Sequence, residues 1–530
     1  MKLKFKRDEA IWFLLFLAVS LIPFWLVKYI PSLDGPTHLH NARLIHEILK
    51  ADPLITQYYS LNPVLVGNST AHYTMALLMF IFPAWLSEKF LLTFYIIGLV
   101  FSFRYFVRSS DRSGSLLYLV IIPFGFHSLF LFGYYNFSLA FIPLFFTLGF
   151  IKRKEGQWGV KEFILLILLF LAIYISHAVV FVFAGLILFI QMIIEACYDL
   201  WIRKEPVKKL KKLAGKYLFL LGAAIPSIIL WIIYFLSLDN DVPEKVAGGA
   251  GTFIKNLINL LNLKFLVGFN QEQEEGPIII TMITLAALLL IIVARHRIIF
   301  RRSGAADADK RYEPTLWGTI SAVLILLLFL LPDHMTTGSI TVRFNILLYF
   351  TLIAWLSLYK LSRSLVYIAL TLIFCAFSWH RYIMFDYYKE LNKLIDNIES
   401  ADSYIPPNSI VYPINCTENW LEGHFHCYLG VDKPIIDLRN PQAGGQMPVV
   451  WNFKKMPNVL LGKQELETVG ISWLEDVKNR KDIPVDYIFV LKPKMLYHYP
   501  DAEKLLNDLS IYYSEIYRTS NGTVLLSALK

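Results

Sequence analysis

Cysteine, charge and internal repetition are all scarce in this chain, and each shortage removes a class of protein. Four cysteines are spread over 530 residues with no CxxC spacing, which excludes a zinc ribbon and a disulfide-dense scaffold. Charged residues are 17% of the chain against 56% hydrophobic, and a soluble domain cannot hide that much apolar surface. No repeat or low-complexity stretch is visible, which argues against a transporter built on inverted repeats. No small-x-small cleavage site follows the first apolar run, so residues 1–30 read as a retained helix rather than a signal peptide. The net charge of +9 is not a nucleic-acid footprint, because the excess sits in alternate short loops.

Long apolar runs are what the chain has. Eleven spans are expected, at about 10–30, 90–107, 115–131, 136–151, 163–177, 179–197, 217–238, 277–294, 316–332, 344–359 and 364–381. The loops between them alternate in charge. One set (1–9, 104–114, 152–161, 198–216, 295–315, 360–363) holds 26 Lys and Arg, and the other (28–89, 126–135, 176–179, 239–276, 333–343) holds 8. Basic loops stay in the cytoplasm. The N-terminus is therefore expected inside and, after an odd number of spans, residues 382–530 outside. Two choices enter this count. The apolar stretch 73–86 is laid flat as an interfacial helix, since counting it as a span would invert every later loop. The run 163–197 is too long for one crossing and is split at Ser176-His177.

The first outer loop, 31–89, is patterned for structure. Leu39, Ala42, Ile45 and Leu49 recur at helical spacing over 37–50, and Pro53, Pro63 and Gly67 separate that helix from 73–86. The tail, 382–530, changes character. Leu391, Leu394, Ile395 and Ile398 form a surface-helix stripe. Strand-like runs follow at 409–414, 434–438 and 485–491, then a helix at 501–513 and a terminal hairpin from 514–518 and 523–528. This length suffices for one α/β domain. Cys197 and Cys375 fall in apolar runs and read as small apolar residues. Cys416 and Cys427, eleven residues apart in a region expected outside the cytoplasm, read as a disulfide. A metal pair with the nearby His424 and His426 is the weaker reading.

Potential chemistry gathers at the outer ends of the spans. The segment Ser32-Leu33-Asp34-Gly35-Pro36-Thr37-His38-Leu39-His40 sets a carboxylate just after the first span, before a turn and a helix. Asp34 reads either as a helix cap or as a base or metal ligand in an outward cavity. His38, one helical turn on, and His40 lie near it. Gly133-Tyr134-Tyr135-Asn136-Phe137 tips the hairpin between the third and fourth spans. Tyr135 fits an aromatic belt as well as a site, whereas Asn136 is an amide that wants partners. His177 marks the outer end of the fifth span. Asp333, His334 and Arg343 share a short outer loop in which Arg343 runs against the charge rule. It reads either as an anion ligand, for which phosphate suits its forked donors, or as a partner of Asp333 or of lipid headgroups.

These features resemble the GT-C superfamily of integral membrane glycosyltransferases, which includes oligosaccharyltransferase catalytic subunits, protein O-mannosyltransferases and bacterial lipid A aminoarabinose transferases. The resemblance lies in an acidic residue just after the first span, interfacial helices in the first outer loop, many spans and a C-terminal outer domain. The 133–137 tip is similar to hairpin tips of uncharacterised bacterial members. The resemblance implies a polytopic α-helical membrane protein of about eleven transmembrane helices (residues 1–381, with loop 31–89) and a C-terminal extracytoplasmic α/β domain (382–530). It implies a cell-envelope enzyme of the inner or plasma membrane. Such an enzyme moves a sugar from a polyprenyl-phosphate-linked donor to a glycan, lipid or protein acceptor on the outer face. Asp34 matches the family's catalytic acidic residue, and Arg343 matches by position a ligand for the donor phosphate. His38, His40, Tyr135, Asn136, His177 and His334 complete the expected donor site. The chain lacks a second acidic residue beside Asp34 and the Trp-Trp-Asp signature of oligosaccharyltransferases, which argues against protein N-glycosylation. No metal ligands are assigned, and Mg or Mn is the one cofactor left open. The competing readings are a surface-polysaccharide polymerase or ligase, and a non-enzymatic transporter or assembly subunit.

Overall fold

The computed structural model describes residues 6–110, 115–202, 207–237, 250–302, 308–330, 334–335, 338–452, 485–492, 507, 509–520 and 522–529. The chain divides into two compact units. One comprises residues 1–23 and 93–385, the other residues 24–92 and 386–530. The loop 31–89 and the tail, expected to lie in separate domains, thus fall in one unit.

The first unit is helical. Among the described residues of the whole chain, eight helices are long and apolar enough to cross a membrane: Arg7–Trp25, Ala84–Val107, Tyr135–Arg153, Ala178–Leu200, Leu210–Leu236, Gln271–Arg295, Ile340–Ser357 and Arg363–Asp402. The three remaining expected spans fall on weaker elements. The run 115–131 is broken into Leu116–Val120, Ile121–Gly125 and Ser128–Leu131, with Pro123 and Gly125 inside it and His127 capping the last piece through Nδ1 (3.1 Å from Phe130 N). The run 163–177 is Val160–Ser176, and 316–332 lies on Ala308–Leu330. The expected break at Ser176-His177 is present. His177 is extended (φ −162°, ψ 120°), and its side chain caps the following helix. Arg104 and Arg108, expected in a loop, instead bind the buried Glu9 at 2.8 and 2.6 Å, joined by the Tyr118 hydroxyl at 2.7 Å. A buried carboxylate needs such partners.

Two departures from the expected helices have clear causes. The last span and the tail's surface stripe form one 40-residue helix, Arg363–Asp402, since no glycine or proline interrupts this stretch. An unforeseen helix, Ala250–Leu261, occupies the loop 239–276, with Ile254, Ile258 and Leu261 exposed at i, i+4, i+7 spacing along one face.

In the second unit, the helix expected from the spacing over 37–50 is present as Gly35–Leu49 and is a core element: twelve of its fifteen residues are buried. Its companion is shorter than expected. The stretch 73–86 is not one interfacial helix but Thr70–Leu78, a turn with Phe80 and Ile81 exposed, and the start of Ala84–Val107. Pro83 sets that helix start, where its missing N–H costs nothing. The tail carries a five-stranded sheet in the order Ile436–Asp437, Ile410–Asn415, Tyr487–Leu491, Val524–Ala528, Tyr513–Arg518. Its first three strands are parallel and the last two form the expected terminal hairpin. Most of the expected helix at 501–513 lies outside the described residues. Strand Tyr59–Leu61 of the loop pairs antiparallel with Val449–Trp451 of the tail, and Tyr59 stacks on Trp451 at 4.2 Å. Asn41 bonds Gln442 O at 3.0 Å and Asn440 at 2.7 Å, and Arg43 reaches Val431 O at 3.0 Å.

Candidate functional site

Gly35 and Pro36 open the buried helix Gly35–Leu49, Pro36 in the first turn, where its fixed φ suits the helix. Asp34 occupies the cap position, yet its side chain makes no capping hydrogen bond. Ser32 Oγ takes that role and accepts the Gly35 N–H at 3.1 Å. The Asp34 carboxylate instead turns to His424, with Oδ1 3.1 Å from Nδ1. That contact is close but lacks hydrogen-bond alignment, since His424 Nδ1 has no properly oriented partner. Both side chains keep a little solvent access, 12% for Asp34 and 26% for His424. A carboxylate that neither caps nor is fully neutralised is available to accept a proton.

The strap before His424 is ordered by its own side chains. Asn415 Nδ2 bonds the carbonyls of Glu422 and Gly423 at 2.9 Å each, Asn419 caps Trp420–Glu422, and Glu422 pairs with Lys492. The next turn, Phe425–Gly430, lies on the helix Gly35–Leu49. His40 is sealed between them, and a Cβ at position 430 would overlap its ring. His38 is also buried and pairs with His72 (Nδ1 to Nε2 2.8 Å). Burial pushes His40 down to about 4 and His72 to about 3, and lowers His38, to which neighbouring His72 and His424 add. These three imidazoles are neutral at neutral pH, so none supplies a fixed cation to Asp34.

Cys416 and Cys427 are buried free thiols, not the expected disulfide. Cys427 is occupied elsewhere. Its Sγ faces Asp437 Oδ2 at 3.7 Å and takes a contact from Thr37 Oγ1 at 3.8 Å. Cys416 follows the strand Ile410–Asn415 and is tied by its backbone to Leu491 (3.1 Å). Among the described residues, one set of three side chains suited to a metal comes together, His426, Cys427 and Asp437. No such set includes Asp34. Mg and Mn take oxygen-rich shells, and the residues gathered at Asp34 do not fit them.

The other expected residues belong to the helical unit. Gly133, at φ 94°, makes the left-handed turn that an L side chain resists and joins Ser128–Leu131 to Tyr135–Leu139. Tyr135 and Asn136 are buried at this tip. Phe137 gathers two expected residues around its ring, the His177 imidazole at 5.2 Å and the Arg343 guanidinium at 5.9 Å. His177 Nδ1 is used in capping, accepting from Val179 N at 3.2 Å. Arg343 is not in a loop: it lies in the first turn of Ile340–Ser357 and is 3% exposed. His334 opens a two-residue strand paired with Gly338–Ser339. Its side chain, and Asp333, lie outside the described residues. A cavity in the helical unit, lined by Phe106, Lys152, Tyr312, Glu313 and Trp317 among others, contains none of the expected site residues.

No protein-family model and no curated protein matches the sequence. Solved structures that share its fold include two of one protein. The crystal structure of ArnT from Cupriavidus metallidurans bound to undecaprenyl phosphate superposes with a TM-score of 0.54 at 10% identity, over 98% of each chain. The same protein in the apo state gives 0.50 at 11%, again over 98% of each. Identities this low carry the fold alone. The chain shares the fold of ArnT and, with its long apolar helices, is an integral membrane protein.

Proposed function

We propose that this protein transfers a sugar from a polyprenyl-phosphate-linked donor to an acceptor hydroxyl on the outer face of the membrane, with inversion. The observation that carries the reading is the disposition of Asp34, which leaves capping to Ser32 and turns its carboxylate to His424. The ArnT-like fold supports the lipid-linked donor, since the neighbouring structure holds undecaprenyl phosphate. In this mechanism the acceptor oxygen attacks the anomeric carbon and its proton passes to Asp34. The anomeric C–O bond breaks with its electron pair on the departing phosphate. Arg343 binds that phosphate, its forked donors suiting two phosphate oxygens. Tyr135, Asn136, His177 and His334 orient the donor, and His38 and His40 hold the helix that carries Asp34. A nucleotide-sugar donor is disfavoured because the basic loops are short.

The test is sugar transfer, or release by water, from a polyprenyl-phosphate-linked donor by purified protein. Asp34→Asn keeps shape and removes the base, and the expected loss is about 10²–10⁴-fold. Wild-type turnover by this variant would remove Asp34 from the mechanism and favour the polymerase or non-enzymatic reading. Arg343→Ala should weaken donor binding, and Arg343→Lys should restore only part, because an ammonium lacks the fork.

A further inference from the structure

Among the described residues, His426, Cys427 and Asp437 are the one set of three side chains suited to a metal, and two of its separations have the edge length of a metal polyhedron. Asp437 Oδ2 is 3.6 Å from His426 Nε2 and 3.7 Å from Cys427 Sγ, and all three atoms lie within 4.8 Å of one another. Ligands about 2.0–2.3 Å from a tetrahedral zinc stand about 3.3–3.8 Å apart. All three side chains are buried, with His426 4% exposed and the other two 0%.

Three further observations point to a metal ligand set. Neither ring nitrogen of His426 has a well-formed hydrogen bond, although the Arg439 backbone lies near the ring. A buried imidazole left in that state loses the full cost of desolvation. The outer contacts already aim the inner atoms. Arg439 N–H holds Asp437 Oδ1 at 2.9 Å, which turns Oδ2 inward, and Thr37 Oγ1 lies 3.8 Å from Cys427 Sγ. Supporting bonds of this kind orient metal ligands. The charges also balance, since a divalent cation with one thiolate, one carboxylate and one neutral imidazole is neutral overall, which buried charge requires.

We infer that His426, Cys427 and Asp437 form a zinc site, with the fourth position left to a water or a small ligand. Thiolate and imidazole select zinc over Mg or Mn. On binding, the Cys427 thiol gives its proton to solvent and its sulfur pair to the metal, with no redox change. The ion ties Phe425–Gly430 to the strand Ile436–Asp437 and so anchors the strap that carries His424 to Asp34. This inference does not depend on the transferase reading, and its readout needs no activity.

The experiment uses the full chain purified in detergent after expression with added zinc. Metal analysis should find about one zinc per chain, falling to background in Cys427→Ser and in Asp437→Asn and unchanged in Cys416→Ser. Replacement of zinc by Co²⁺ in the wild type and in Cys416→Ser should give an intense visible spectrum with a sulfur-to-cobalt charge-transfer band. The cobalt measurement requires no change to the site itself, so it stands even where Cys427→Ser fails to fold. Zinc at background in the wild type, zinc retained by a folded Cys427→Ser protein, or a cobalt spectrum without the thiolate band would each overturn the proposal.

Discussion

Asp34 could be singled out from sequence because a carboxylate just after a span, before Gly-Pro, has few bland roles. Its partner could not, since His424 lies 390 positions away and nothing local marks it. The same holds for His38 and His72, whose pairing depends on how two helices pack. The geometry separates two roles that sequence had merged. Ser32→Ala should lower stability by about 1 kcal/mol, the usual cost of a lost cap, with turnover per folded molecule unchanged. Asp34→Asn should do the reverse, and thermal melts beside transfer assays distinguish the two. Gly430→Ala should cost about 1–3 kcal/mol by forcing a methyl into the His40 ring. A His40→Ala background should recover part of that loss, which a double-mutant cycle measures. The His38–His72 pair sets a pH dependence. In the unfolded chain each imidazole titrates near 6.5, while burial lowers both in the folded protein. Below pH 6.5 the unfolded state takes up protons that the folded state refuses. Stability is therefore full above that pH and falls by up to about 1.4 kcal/mol per pH unit for each histidine as pH drops, down to about pH 3 for His72. Denaturant melts at several pH values should show this slope, and His72→Asn should flatten it.

At the scale of elements, periodicity found most helices and misjudged what surrounds them. The stripe on 37–50 implied one buried face, but the helix Gly35–Leu49 is covered nearly all round, because polar His38, His40 and Asn41 are buried as well. A sequence stripe reports only the apolar part of such a cover. The stretch 73–86 read as continuous since Phe82-Pro83 hardly dents its hydropathy, yet proline sets a helix boundary. The terminal hairpin was legible from alternation and the turn at Gly522 (φ 87°). The pairing of Tyr59–Leu61 with Val449–Trp451 was not, because a three-residue strand carries almost no pattern. The cysteine spacing misled for a similar reason: proximity in sequence says nothing of side-chain direction, and Cys427 faces Asp437. Denatured, unreduced protein should therefore show thiols at both Cys416 and Cys427 when alkylated and weighed by mass spectrometry. A Cys416–Cys427 crosslink in that experiment would overturn the assignment.

For the whole molecule, the charge asymmetry of 26 against 8 Lys and Arg predicts opposite sides for reporter fusions after Leu361 and after Asp386. A shared side would sink the eleven-span topology. The second unit also has an unusual history in time. Asn41 meets Gln442 across 401 positions of chain, so the face of the helix Gly35–Leu49 that meets the tail is made long before its cover. The helix Thr70–Leu78 covers another face early, but the face toward the tail stays open while the intervening helices are made. Contacts of such separation are slow to form and leave apolar surface open to aggregation. The segment bearing Asp34 thus leaves the ribosome long before its surroundings are complete. A chain stopped before residue 386 would have most of its apolar helices and no finished setting for Asp34.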